Sequence, residues 1–599
     1  MRATHTIIST LMLLFLCNLR CSQSEDDLPS CLILHGVSNY TTPFISNSDY
    51  DRLLYVSMQN QIFTRSTFPR PSVIILPESK DQLVNTISCC RRWSWTIRLR
   101  SGGHSYEGLS HTADSPFVII DMMNLNGVSI DLDTQTAWAE SGATLGEIYH
   151  AIGVSSNVFG FSAGYCPTVG SGGHISGGGF GMMSRKYGLA ADNVVDAILI
   201  SANGALYDRK SMGEDVFWAI RGGGGGVWGV VYAWKLQLLP VPKHVTVFKL
   251  TKHTSEIDEA SKLLYKWQLV APNLDDDFSL AVLNGAEKDG FWLMFLGLYL
   301  GPKEFAVSSM HQRFPELNLL SEECKEVSWV EAFAQLAGLK EVDELNNRFL
   351  KYDDRAFKTK VDFAKVPIPL EGINGALQIL KKEQRGFMVM NGQGGMMGRI
   401  SRDSIPFPHR SGMLSMIEYI VAWDMDEDLN SHEYINWLHQ FYDYMGQFVG
   451  NNPRVGYVNH VDFDFGTIDW TNSSISASKA IEIARTWGEK YFLSNYDRLV
   501  EAKTLIDPNN VFSHPQSIPP LHRVAHQEEG TGAKKDKTQP IVVRIYTKWK
   551  ELEMVAGVVA VVVPVEDTAE AIAVDTVKMV ANKHLNSKWF VNTTSPAYK

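Results

Sequence analysis

A chain of 599 residues exceeds what one compact core organises, so two domains are expected. Hydrophobic residues make up 45% and charged residues 20%, the proportions of an ordinary globular protein. The formal net charge of −11 argues against nucleic acid as a partner and against docking on an anionic membrane.

At the start of the chain, Arg2 and His5 precede an apolar stretch over residues 7–16, and small or polar residues follow to Ser24. That stretch is too short to span a bilayer and predicts a signal peptide over residues 1–24, with entry into the secretory pathway. No later segment reaches the roughly 18 uninterrupted apolar residues of a spanning helix, so no stable membrane insertion is expected. Discounting Cys17 and Cys21, five cysteines remain for an oxidising compartment: Cys31, Cys89, Cys90, Cys166 and Cys324. There is no CxxC pair and no His/Cys cluster at zinc spacing, so no metal site is expected.

Residues 73–76 form a short β-rich run. Ser79-Lys80-Asp81-Gln82 then offers a capping box to a helix reaching about residue 92. On that helix Leu83, Ile87 and Cys90 share an apolar face, which suits Cys90 as a buried free thiol, while Cys89 points elsewhere. Strands are expected at 96–100 and 117–121. The first leads directly into the loop Arg100-Ser101-Gly102-Gly103-His104-Ser105-Tyr106-Glu107-Gly108. A second loop reads Gly164-Tyr165-Cys166-Pro167-Thr168-Val169-Gly170-Ser171-Gly172-Gly173-His174 and continues to Gly181. Such small residues let successive backbone N–H groups converge on an anion such as a diphosphate. A lone Gly-Gly-His also makes ordinary turns, and a lone cysteine is more often a small buried hydrophobe. Two such loops, one with an imidazole and one with a thiol, point instead to a flavin.

Farther on, segments 194–201 and 205–208 flank Asn203-Gly204, a hairpin signal. Gly224 to Gly229 matches the dinucleotide fingerprint only formally, because that motif must open a helix. The following 230–239 is β-branched and aromatic, so a strand is expected there. No Gly-Lys dipeptide exists, which excludes a Walker A loop. Over 241–458 the texture changes: amphipathic helices such as 257–269 alternate with apolar strands such as 291–300 and 413–423. On the last of these, Met416, Glu418, Ile420 and Ala422 share one face. A carboxylate between apolar neighbours is costly unless used, and burial suits it to general base work. Residues 522–599 open on a polar run and then carry an apolar stretch interrupted at Pro564; a disordered extension is expected there.

The two loops, together with the segments RGGGGGVW (221–228), PFPHR (406–410), IEYIVAW (417–423), GYVNH (456–460) and LIDPNNVFSHPQSIPP (505–520), make the chain resemble the FAD-linked oxidases of the berberine bridge enzyme type. The resemblance covers about residues 28–521. It implies an α+β, two-domain fold of the vanillyl-alcohol oxidase / p-cresol methylhydroxylase type. The FAD-binding domain is split over 25–240 and 461–521, and an antiparallel-sheet substrate-binding domain occupies 241–460. It implies FAD attached bicovalently through His104 and Cys166 and held by Arg100, Ser101, Gly102, Gly103, Ser105, Val169, Gly170, Gly173 and His174. His174 is expected to tune the flavin, and Val169 matches the residue type of members that react with oxygen. Glu418 is expected as the catalytic base, with Tyr106 and His460 positioning the substrate.

The implied activity is oxidation of a small benzylisoquinoline alkaloid by O2, converting (S)-reticuline to (S)-scoulerine with release of hydrogen peroxide. Tyr165 stands where close relatives commonly carry Trp, which keeps an aromatic wall. The rival on this scaffold is a carbohydrate or alcohol oxidase, against which Glu418 weighs; a non-catalytic flavin-holding protein is disfavoured by intact His104, Cys166 and Glu418. The resemblance also implies a disulfide between Cys31 and Cys89, a Cys31–Cys90 bridge remaining open. Glycosylation acceptors stand at Asn39 and Asn472, with a further sequon at Asn592. The expected protein is a monomer, in an endoplasmic-reticulum-derived vesicle or vacuole, or secreted.

Overall fold

The computed structural model describes residues 27–44, 47–351, 354–450 and 452–522. The expected signal peptide, the sequon at Asn592 and all but the first residue of the 522–599 extension lie outside the described residues. No described helix is long and apolar enough to cross a membrane.

The first sheet contains β1 (Tyr40–Thr41), β2 (Val73–Ile75), β3 (Thr96–Arg100) and β4 (Phe117–Asp121), in the order β1-β2-β4-β3. β4 runs parallel to both β2 and β3. Every side chain of β2 and β4 is buried, as expected of parallel strands covered on both faces. The Lys80–Arg92 helix joins β2 to β3, and its N-cap Ser79 accepts a hydrogen bond from the Gln82 N–H at 3.2 Å. The capping box closes one residue early: the Gln82 carboxamide accepts from Glu78 N–H rather than from that of Ser79. The helix buries Leu83, Ile87 and Cys90. Cys89, also buried, turns to form the disulfide with Cys31 of the Leu28–Leu34 helix, and Cys90 stays a buried free thiol.

The second sheet is built from β5 (Val128–Asp131), β6 (Thr136–Glu140), β8 (Val194–Ile200), β9 (Leu206–Tyr207) and β10 (Val230–Gln237), ordered β5-β6-β10-β8-β9. A separate pair joins β7 (Phe159–Gly160) to β11 (Leu239–Pro240). The turn between β8 and β9 is the expected Asn203-Gly204, with Gly204 at φ +79°, a conformation that glycine adopts without strain. β10 follows the five-glycine run, so that run opens a strand.

A seven-stranded antiparallel sheet takes β12 (Val245–Thr254), β13 (Phe278–Glu287), β14 (Gly290–Tyr299), β15 (Cys324–Val327), β16 (Ala356–Ala364), β17 (Gly386–Gly392) and β18 (Ser415–Trp423). Its order is β15-β12-β14-β13-β17-β18-β16. The helices Ile257–Val270, Leu370–Lys382 and Ser431–Met445 cover one face, where Trp267, Leu377, Leu438 and Phe441 pack with Val282, Met388, Ile417 and Tyr419. Burying each such side chain contributes about 1.5–3 kcal/mol. Strand alternation then sends the intervening residues of β13, β17 and β18 to the opposite face, where the site lies. Two buried arginines join this sheet's loops to the glycine-loop region. Arg185 donates to the carbonyls of Pro272, Leu274, Phe278 and Gln393, and Arg410 pairs with both carboxylate oxygens of Asp192.

Candidate active site

The two glycine loops meet backbone to backbone. A Cβ on Gly102 would lie 2.2 Å from Gly170 N and 2.6 Å from the Thr168 carbonyl oxygen, so no larger residue fits at that crossing. Ser101 Oγ donates to the Ser141 carbonyl, and the His111 ring donates to the Gly103 carbonyl at 3.0 Å. Beside the crossing opens a cavity of about 670 Å³, within the ~300–1,000 Å³ usual for ligand and cofactor sites. Gly173 and Gly226 border it, and a Cβ on either would meet nothing within 4 Å. These backbone walls facing open space fit an extended, diphosphate-bearing flavin.

His104, Cys166 and His174 all line this cavity. Burial holds the His104 imidazole down at about pH 4 and the His174 imidazole at about 3, so both rings are neutral. His174 Nε2 accepts from Gly164 N–H at 3.1 Å. A neutral imidazole carries one N–H, which leaves His174 Nδ1–H as a donor. Ser101, Gly102, Gly103, Ser105, Val169 and Gly170 are also brought to the lining. Arg100 is not: its guanidinium pairs with Asp121 at 2.7 Å and donates to the carbonyls of Leu53 and Leu54, with no exposed side chain. It is a strut beneath the first loop.

The seven-stranded sheet closes the other side. In register, Glu418 of β18 stands between Val389 of β17 and Val361 of β16. Met416, Glu418 and Ile420 line the cavity with Leu283, Phe387 and Asn391, so the carboxylate projects from an otherwise largely apolar wall. Its Oε1 lies 3.6 Å from His460 Nδ1, beyond hydrogen-bonding reach, and both atoms are out of water with no partner. Two orphaned polar atoms side by side call for a polar ligand group between them. The Tyr106 ring lies 5.0 Å from the His460 ring, centroid to centroid, and is tilted to it by 43°. Its phenol is held well above the usual range, first by burial and then by the charge of Glu418. Tyr165 lines the cavity too, its phenol raised to about 12 by burial.

Tyr106 sits in a turn and His460 ends a single 3-10 turn, Val458–His460, and a largely buried ionic cluster fastens both to edge strand β16. Lys358 pairs with Glu107, next to Tyr106, and Lys360 pairs with Asp462 at 2.8 Å and with Asp464. Asn60 donates to the carbonyls of Tyr106 and Phe357 and accepts from Phe357 N–H, standing in for a further strand. None of these residues was singled out from sequence, although the alternation of Lys358, Lys360 and Asp362 on a strand was a signal. Also missed were Leu283, Phe387, Val389 and Asn391, which only sheet pairing brings to Glu418, and His514, which lines the cavity from the C-terminal segment.

Residues 71–208 match an FAD binding domain, and residues 456–519 match the berberine and berberine-like family. The chain is 60% identical to the reticuline oxidase of Eschscholzia californica over 521 residues, covering 87% of this chain and 96% of that protein. The chain belongs to the berberine bridge enzyme family. The reticuline oxidase of Papaver somniferum is 62% identical, over 83% of this chain and 93% of that protein. A berberine bridge enzyme variant solved in complex with (S)-reticuline superimposes with a TM-score of 0.81 at 61% identity, covering 83% of this chain and 99% of that one. The family fold is the expected FAD-linked oxidase type, and FAD is the cofactor for which the cavity is shaped. As a berberine bridge enzyme family member the chain is a flavoprotein oxidoreductase that uses oxygen.

Of the two glycosylation positions described, Asn472 is exposed, whereas Asn39 is half-buried with its amide donating to Glu78 at 2.9 Å.

Proposed function

We propose that this chain is a reticuline oxidase, converting (S)-reticuline and O2 to (S)-scoulerine and hydrogen peroxide by joining a phenol ring carbon to the N-methyl carbon. The observation that carries the reading is Glu418: a buried carboxylate, unpartnered at Oε1, facing the cavity that His104 and Cys166 also line. Bound FAD supplies the hydride acceptor, and O2 restores it with release of hydrogen peroxide.

Glu418 takes the phenol proton, which raises the nucleophilicity of the ring carbon. His460 and Tyr106 flank the carboxylate and hold the phenol against it. Leu283, Phe387, Val389, Met416 and Ile420 receive the aromatic body of the alkaloid and exclude water, so the proton transfer runs in a dry environment. His104 and Cys166 are read as the two points of covalent attachment, and His174 Nδ1–H as a donor to the flavin. The Cys31–Cys89 bridge supports passage through the secretory pathway, an oxidising compartment.

The test is oxygen consumption with a panel of N-methylated benzylisoquinolines, sugars and simple alcohols. The expected result is one hydrogen peroxide per (S)-scoulerine formed from (S)-reticuline. Turnover of sugars alone would overturn the reading.

A further inference from the structure

The motif residue Thr168 has no part in the scheme above, yet its hydroxyl lies between the two nucleophiles of the flavin loops. Thr168 Oγ1 is 2.9 Å from His104 Nε2 and 3.7 Å from Cys166 Sγ, and the residue is 1% exposed. Its position is locked by the surrounding turn. Its carbonyl abuts Gly102, Leu145 N–H donates to the Val169 carbonyl at 2.9 Å, and Gly146 N–H donates to that of Pro167 at 2.9 Å.

A hydroxyl has one proton to give and lone pairs to receive with. In the arrangement in which the Cys166 sulfur accepts, the Thr168 O–H points to Sγ and its lone pair receives His104 Nε2–H. That order leaves His104 Nδ1 with a free lone pair, since the buried ring is neutral. At Cys166, burial raises the thiol pKa while hydrogen bonds from Thr168 oppose that rise and favour the reactive thiolate. In that arrangement one hydroxyl fixes the tautomer of His104 and offers the Cys166 sulfur a hydrogen bond.

We propose that Thr168 is the positioning residue for both covalent flavin attachments, presenting His104 through Nδ1 and Cys166 as an accepting sulfur. The inference rests on the reading of His104 and Cys166 as attachment points. Each attachment replaces a flavin C–H by C–N or C–S and releases two electrons and two protons. The electrons pass through the flavin to O2, and the protons complete hydrogen peroxide. The proton that the protein gives up comes from His104 Nε2 or from the Cys166 thiol, in each case an atom within hydrogen-bonding distance of Thr168 Oγ1.

The experiment compares wild type, Thr168→Val, Thr168→Ser, His104→Ala and Cys166→Ala in the full chain. Peptide mass analysis at short times after induction gives the fraction of chains carrying each bond. Total flavin per chain before denaturation reports folding. Loss of one hydrogen bond corresponds to a roughly two- to tenfold slowing. Thr168→Val is expected to lower occupancy at both residues by that factor while still binding flavin, and Thr168→Ser to restore it. Thr168→Ala replaces Thr168→Val should the latter not fold. Wild-type occupancy at either residue in the hydroxyl-free variant, or no rescue by serine, overturns the role of Thr168. Wild type with no covalent flavin overturns the attachment reading itself.

Discussion

Glu418→Gln isolates the proton-accepting role of the carboxylate. The substitution keeps the volume of the side chain between Val361 and Val389, and Oε1 has no hydrogen bond to lose. The flavin loops do not contact it through any covalent chemistry, so FAD attachment and alkaloid binding should stay near wild type. Tyr106 cannot take over as base. Burial is the larger cause of its raised pKa and persists in the variant, so its phenolate stays inaccessible at neutral pH. General base groups contribute about a hundred- to ten-thousand-fold, or about 2.7–5.4 kcal/mol of barrier at 1.36 kcal/mol per decade. Anaerobic stopped-flow reduction by (S)-reticuline measures that step directly, with binding read from the concentration dependence. The expected outcome is an unchanged half-saturation and a reduction rate lower by that factor. A variant reduced at near wild-type rate would refute the base assignment and the strongest reason for an alkaloid over a sugar.

Lys360→Met takes the nearest cation from buried Asp462 and leaves it Lys358 at 3.8 Å, while the more exposed Asp464 keeps His439. Stranding buried charge costs about 3–5 kcal/mol, which a lowered urea midpoint of the holoenzyme should reveal. Cys31→Ser opens a cross-link of sequence separation 58 and should cost about 4 kcal/mol by loop entropy, read from the same midpoint without reductant. His111, His409 and His514 are each held neutral, with pKa near 3, chiefly by burial. The unfolded chain binds protons there below about pH 6.5 while the folded one does not. Their stability contribution is therefore full above that pH and falls toward pH 3, by up to about 1.4 kcal/mol per pH unit for each ring. His409→Gln should flatten the acid limb of unfolding midpoint against pH by about one proton; an unchanged slope would count against a neutral His409.

The flavin side of the site was legible because it is written locally. Gly102, Gly103, His104, Cys166, Gly170 and His174 are close neighbours in two short loops, and small residues at such density have few uses besides backbone approach. Glu418 was legible for a related reason: strand alternation puts Met416 and Ile420 beside it on one face. The rest of that wall was not. Leu283, Phe387 and Asn391 reach the cavity through the pairing of β13 with β17 and of β17 with β18, contacts between segments far apart in sequence. Arg100, assigned to the flavin through the motif of the first loop, turns its charge elsewhere. Only the buried Asp121 and the two carbonyls show where its charge goes.

The distribution of the polar groups has its own logic. Glu418 sits in mid-strand, where hydrogen bonds on both sides fix its backbone and the register sets its depth. Tyr106 belongs to a turn and His460 to a single 3-10 turn, both outside the sheets and in need of restraint. Strand β16 supplies that restraint, and it does so as an edge strand, the element with unpaired backbone to cover. Asn60 pairs with that edge at Phe357 and at the same time holds the Tyr106 carbonyl. The lysines of β16 reach Glu107 next to Tyr106 and Asp462 two residues beyond His460. Protecting the sheet edge and aiming the aromatic and imidazole rings at Glu418 are thus one arrangement. A buried ionic cluster is a poor source of stability, but its directional bonds suit it to holding two loops in register with a carboxylate they do not touch through hydrogen bonds of their own backbone.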